Sequence, residues 1–145
     1  MEWTKDDFSI STDKSKIYTA YVHGQLNQTY WAEGIPLEVV ERAVKGSLCF
    51  GVYRHQQQVG LARVITDEAT FAYLCDVFIE EQYRAKGVGK WLMEVILAYP
   101  TLQGLRRFML ATRDAHGLYQ QYGFGPLTFT DRWMHIHQPD VYKKQ

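Results

Sequence analysis

Cysteine is scarce in this chain, and an excess of one charge is missing altogether. The two cysteines, Cys49 and Cys75, each lie in an apolar, strand-like run, and neither belongs to a Cys-x-x-Cys pair. That spacing argues against a metal site or a disulfide framework and for buried reduced thiols. The 16 Lys+Arg residues balance 16 Asp+Glu, for a formal net charge of zero. A generic nucleic-acid binder needs cations to neutralise phosphates, so no nucleic-acid partner is expected. The start, Met1-Glu2-Trp3-Thr4-Lys5-Asp6-Asp7, has no apolar signal core. No apolar run approaches the roughly 18 residues of a membrane span. No membrane partner is expected, and the expected location is cytoplasmic. Repeats, low-complexity tracts and linkers are also missing, so residues 1–145 read as a single domain. Hydrophobic residues at 46% against 22% charged suit a buried core with a soluble surface.

What is present is a mixed pattern. Phe8 to Ile10 predicts a short strand, and Lys14 to Leu26 a helix with Ser11, Thr12 and Asp13 as candidate caps. Thr29 to Gly34 reads as an aromatic loop. Pro36 to Lys45 predicts a second helix, with Pro in its first turn and Gly46 at its end. Leu48 to Tyr53 and Gln58 to Thr66 predict a hairpin turning at Arg54–Gln57. Thr70 to Ile79, the longest apolar and β-branched run, predicts a central strand. Gly87 to Ala98 predicts a helix, Arg107 to Thr112 a strand, and Ala115 to Tyr122 a short helix stopped by Gly123. Leu127 to Thr130 and Arg132 to His137 predict a last hairpin. The order β-α-α-β-β-β-α-β-α-β-β implies an α+β (mixed α/β) fold, a largely antiparallel sheet flanked by helices, with residues 70–112 as its parallel unit.

One segment carries the chemistry. From Leu74 to Lys90 a buried strand runs into a basic loop that opens a helix, with Gly87 and Gly89 in the first turn. Glycine lets a phosphate approach the backbone, and the first N–H groups of a helix lack internal partners and carry the positive end of the dipole. Arg84, Lys86 and Lys90 add charge to this anion cradle. The Walker pattern is absent, and a dinucleotide Gly-x-Gly-x-x-Gly fails at Leu92, leaving Arg-x-x-Gly-x-Gly. A capped helix with surface cations would show the same six positions.

The stretch Leu74–Lys90 resembles the coenzyme A pyrophosphate motif of the GNAT superfamily of N-acetyltransferases. Asp114-Ala115-His116-Gly117-Leu118-Tyr119-Gln120-Gln121-Tyr122-Gly123-Phe124 resembles that family's second signature, Ala-x-x-x-Tyr ending in Gly-Phe. The resemblance implies a GNAT-like twisted sheet and transfer of acetyl from acetyl-CoA to an amine of a small molecule or peptide, with no metal. It implies that the backbone of Val77, Phe78 and Ile79 holds pantetheine like an added strand. The N–H groups of Arg84, Ala85, Lys86, Gly87, Val88, Gly89 and Lys90 would hold the pyrophosphate. Tyr119 would protonate the leaving thiolate. Thr112 stands where many relatives have a pantetheine-binding Asn. Tyr30 and Trp31 fall where relatives place a substrate-lining loop. The family also contains homodimers.

The chemistry sets further candidates. An alkylamine is mostly cationic at neutral pH, so a base or a water relay must take its proton. Asp76 interrupts an apolar run, where an ionised group is costly unless partnered or facing a wet cleft. It is a candidate base or amine ligand, or else a structural partner for a loop. Strand alternation places Asp76 on one face with Leu74 and Phe78, and a bulge near the cofactor would disturb this. His116, one helical turn before Tyr119, is a candidate substrate contact, and Trp133, His135 and His137 alternate along the last predicted strand. A non-catalytic acyl-CoA-binding module would need the cradle alone, and a nucleotide-phosphate binder of another fold would need no Tyr119.

Overall fold

Tight turns set the sheet. Strand β1 (Glu2–Lys5) pairs antiparallel with β2 (Phe8–Ser11), Lys5 facing Phe8 across the two-residue turn Asp6–Asp7, where Asp6 adopts φ 54°. The computed structural model describes residues 1–143. Next come helices α1 (Thr19–Leu26) and α2 (Leu37–Lys45). Strands β3 (Leu48–Arg54) and β4 (Gln57–Thr66) form a hairpin closed at Arg54↔Gln57, with His55 at φ 57° in the turn. Strand β5 (Phe71–Ile79), helix α3 (Val88–Leu97), strand β6 (Arg107–Leu110) and helix α4 (His116–Gln120) complete the regular elements apart from short 3-10 turns. The six strands lie in chain order in one sheet, antiparallel except for the parallel β5–β6 pair. This is the mixed, largely antiparallel sheet flanked by helices that the sequence predicts.

Two cores sandwich the sheet. On one face α3 buries Leu92, Met93, Val95 and Ile96 against Phe50, Val52, Val64, Ala72 and Leu74. On the other, α1 and α2 bury Val22, Leu26, Val40 and Val44 against Cys49 and Leu61. Cys49 is buried and Cys75 half-buried, and both are free thiols.

Three expectations are corrected. The predicted helix from Lys14 is a 3-10 turn (Lys14–Lys16) followed by extended residues before α1. The break is imposed from far along the chain: the buried Gln58 side chain accepts the Tyr18 N–H at 2.9 Å. The last predicted hairpin does not form. Phe129 sits at φ 55°, Thr130–Arg132 makes a 3-10 turn, and the Arg107 guanidinium lies 4.7 Å from the centre of the Trp133 ring, so the chain never reaches ladder geometry. Met134 and Ile136 are left exposed, and the His135 and His137 rings stack at 5.5 Å.

The third correction positions the site. Pairing along β4–β5 jumps from Leu61↔Phe78 to Arg63↔Cys75, so Asp76 and Val77 oppose Ala62 alone. This is a β-bulge, with Asp76 at φ 51° in the left-handed region that Asp tolerates better than most residues. Simple alternation therefore fails. Leu74, Val77 and Ile79 pack on the α3 face, whereas Phe78 packs on the α1–α2 face and Asp76 bonds to residues on that side.

Candidate functional site

The parallel ladder between β5 and β6 ends at Leu74↔Leu110. Beyond it β5 keeps β4 on one side and exposes a free edge on the other, across Val77, Phe78 and Ile79. An extended arm can add to such an edge as a strand. The chain then makes the 3-10 turn Glu81–Lys86 and reaches Gly87, which caps α3 at φ 76°. Glycine adopts that conformation at no steric cost. The first backbone bond of α3 runs from Trp91 N–H to Gly87 O at 3.1 Å, so the N–H groups of Val88, Gly89 and Lys90 precede any helical acceptor. A Cβ built on Gly87 or Gly89 would meet nothing within 4 Å, so the space beside these two residues is open, and both line a groove. Free donors, open space and the dipole of a ten-residue helix fit a phosphate group.

A groove of about 1000 Å³ runs from this cradle. Arg84, Ala85, Gly87, Gly89, Lys90 and Met93 line one end, Val77, Phe78 and Ile79 its floor, and Gln25, Gln28, Thr29, Tyr30, Trp31, Arg113 and Asp114 the other end. Tyr119 lines the groove with Leu118. The structure thus brings together most of the predicted cofactor residues, Tyr119, Tyr30 and Trp31. Arg84 is turned to the strand end by its Nε donating to Ile79 O at 2.8 Å.

The side chains of the remaining predicted residues point elsewhere, although the Val88 N–H stays among the free amides. The Val88 side chain belongs to the core, and Lys86 faces a separate small cavity beside Lys5 and Asp6. Thr112 and His116 line a second cavity of about 320 Å³ along β6, on the other side of Tyr119. The Thr112 hydroxyl accepts the Ala115 N–H at 3.0 Å, which steadies the start of α4. Tyr119 lines both cavities, its ring edge-on to Phe124 with centroids 6.0 Å apart. Burial pushes its phenol pKa above the ordinary value near 10, so the hydroxyl stays protonated well into the alkaline range.

Asp76 does not line the groove. Its Oδ1 accepts the Trp31 indole N–H at 2.8 Å and its Oδ2 accepts Arg63 Nε at 2.9 Å. The pair is nearly buried, with side chains 16% and 11% exposed. A charged hydrogen bond in that setting is strong, and removing one partner strands the other. Trp31 in turn sets Tyr30, edge-on at 5.1 Å, and Arg113 stacks on the Tyr30 face at 3.9 Å. The loop carrying both aromatics is closed at its base, where the Gly34 N–H donates to Asn27 Oδ1 at 2.9 Å. The sequence reading missed Arg63 and Arg113. Arg63 left a signal, a charge in a strand of apolar residues; Arg113, in a polar loop, left none.

The fold is that of an acetyltransferase class. A crystal structure of a provisionally assigned GNAT acetyltransferase from Xanthomonas campestris pv. campestris shares 49% identity and superposes with a TM-score of 0.92, covering 94% of this chain and 97% of that one. A provisionally assigned acetyltransferase of Gibberella zeae, FG08082, is 33% identical over 140 residues, 81% of this chain and 78% of its own. A provisionally assigned acetyltransferase of Clostridium acetobutylicum, solved with acetyl-CoA, shares the fold at 13% identity with a TM-score of 0.64, covering 94% of this chain and 96% of that one. The family model described as "Acetyltransferase (GNAT) domain" matches residues 45–126. The chain belongs to the GNAT acetyltransferases. Among the described residues no group of His, Cys, Asp and Glu could hold a metal ion, and no helix is long and apolar enough to cross a membrane.

Proposed function

We propose that this chain, acting as one domain, transfers the acetyl group of acetyl-CoA directly to an amine, with Tyr119 as general acid. The observation that carries the reading is the continuity of the groove from the amides of α3 to the Tyr119 phenol. Acetyl-CoA is a substrate here, and its pyrophosphate fits the N–H groups around Gly87 and Gly89 with Arg84 and Lys90 at their flanks. The free edge of Val77–Ile79 suits the amide-bearing arm. A backbone N–H of this splayed strand suits the thioester carbonyl, where negative charge grows during transfer. A C–N bond forms as the C–S bond breaks, and the O–H of Tyr119 supplies the proton to the departing sulfur. The raised phenol pKa keeps that proton available.

Asp76 takes a positioning role in this reading, since both of its oxygens are committed to Trp31 and Arg63. It holds the aromatic wall of the acceptor end, and the amine gives its proton to water in the open groove. Cys75 takes no part: burial pushes its thiol up to about 12, which leaves it un-ionised and a poor nucleophile. The test is thiol release from acetyl-CoA over a panel of primary amines, with the wild type against Tyr119→Phe. Amine-dependent release that falls steeply in the variant supports the reading. Equal release in both removes the acid assignment, and no release with any amine removes the enzyme reading in favour of a binding module.

A further inference from the structure

A chain of contacts closes the acceptor end of the groove from one wall to the other. Arg63 on β4 holds Asp76 on β5, Asp76 holds the Trp31 indole, Trp31 packs edge-on against Tyr30, and Tyr30 lies under the guanidinium of Arg113. The last link differs from the others in chemistry. Stacking at 3.9 Å occupies a face of the guanidinium, while its N–H donors lie in the plane and point from the edge. Among the described residues those donors bond no acceptor and pair with no carboxylate. Asp114 lines the same groove and makes no ion pair with Arg113. The other groove cations stand at the far end, Arg84 with its Nε on Ile79 O and Lys90 at the start of α3. Arg113 is therefore a cation fixed by its face, with its edge open, beside the aromatics. A guanidinium edge matches a carboxylate or a phosphate with two parallel hydrogen bonds, which a neutral amine cannot use.

We propose that the acceptor is an amine that also carries an oxyanion, a carboxylate or a phosphate monoester, and that the edge of Arg113 binds this group against the Tyr30–Trp31 wall. This rests on the amine-acetylation reading above. The stack on Tyr30 pre-orients the guanidinium, so binding immobilises little that is not already held. The oxyanion defines the acceptor class, and it makes Arg113 a specificity residue rather than part of the transfer chemistry.

The test uses amine pairs in which one member carries the oxyanion and the other does not, compared at equal concentrations of neutral amine: phenylalanine against phenylalaninamide, and O-phosphoethanolamine against ethanolamine. Thiol release gives kcat/KM for each with the full chain. The expected result is a preference above tenfold for the anionic member of one pair. Which pair shows it separates carboxylate from phosphate. Arg113→Gln is expected to bring that ratio close to one while leaving the KM for acetyl-CoA unchanged. Arg113 is exposed, so this variant should fold, and its melting temperature checks that. An unchanged ratio in the variant overturns the proposal. So does a raised KM for acetyl-CoA with the ratio intact, which would assign Arg113 to the cofactor phosphates. A second arm needs no turnover. With CoA present, N-acetylphenylalanine and, separately, N-acetyl-O-phosphoethanolamine should shift the Trp31 indole N–H and Arg113 Nε–H resonances of the wild type. N-acetylphenylalaninamide should not, and neither anion should shift the Trp31 signal of the variant. If no amine is acetylated but the Arg113-dependent shift appears, the enzyme reading falls and the subsite stands. If neither preference nor shift appears, the subsite falls.

Discussion

The two ends of the groove are built in opposite ways. The cradle end is local. Residues 74 to 90 supply the strand edge, the turn, the left-handed glycine and the free amides in one unbroken stretch. The acceptor end is assembled from Arg63, Asp76, the loop after α1 and the loop before α4, tied by a buried ion pair and stacked rings. In the proposed reading a diphosphate is met largely by backbone, which any sequence with glycine in the right place provides. In the same reading the acceptor is met by side chains, which can change while the scaffold stays. Such a division of labour would let a cofactor site persist while acceptors differ on one fold.

The largest expected effect lies where the two ends meet. With Tyr119 as the proposed general acid, Tyr119→Phe removes the proton donor and little volume, so kcat should fall by roughly 10²- to 10⁴-fold with the KM for acetyl-CoA near that of the wild type. Steady-state thiol release checks this. A fall in binding instead would make Tyr119 part of the cofactor wall.

The acceptor end should be the more fragile in stability. Asp76→Ala leaves the half-buried Arg63 charge without its partner and frees the Trp31 indole. A loss of about 3 kcal/mol is expected in denaturant unfolding. Asp76→Asn keeps an acceptor for Trp31 and tolerates the left-handed backbone, so it should lose less. If Asp76→Asn unfolds normally yet abolishes turnover, Asp76 is a base and its positioning role is wrong.

The cradle end should be altered without damage to the fold. Gly89→Asp places a carboxylate at a helix start, where it favours the helix, but in the open space of the phosphate. The KM for acetyl-CoA is expected to rise about tenfold, near 1.4 kcal/mol, with little change in melting temperature. An unchanged KM would move the pyrophosphate elsewhere.

The smallest effect is in pH dependence. The Tyr119 pKa is raised above its ordinary value near 10, and the acid must be protonated to act. Rates should therefore climb as the amine loses its proton and decline only above pH 10. The declining limb should be missing in Tyr119→Phe.

The same contrast governs what the sequence disclosed. The cradle was legible because Gly87, Gly89 and the α3 periodicity are short-range signals. The core strands followed from apolar, β-branched runs. The acceptor end was half legible: Tyr30, Trp31 and Asp76 stood out as residue types, but not their mutual bonds, because 45 residues separate Trp31 from Asp76. A bulge near the cofactor could be expected to disturb the alternation, but where it falls could not, for a related reason. It is a mismatch between two strands, and alternation along β5 alone placed Asp76 on the face of Leu74. The exposed strand β1, with its single half-buried Trp3, gave little apolar pattern to detect. The last hairpin failed in the other direction, since an alternating sequence at 132–137 finds no ladder once Trp133 is drawn to Arg107.

The most direct measurement is an amide NMR titration of the whole chain with coenzyme A, with ATP as the comparison. The largest saturable shifts should fall on Gly87, Gly89 and Lys90 and continue along Val77–Ile79, with ATP failing to reproduce those along the strand. Shifts confined to the cavity along β6, or equal responses to both ligands, would contradict a cofactor held by the start of α3 and the open edge of β5.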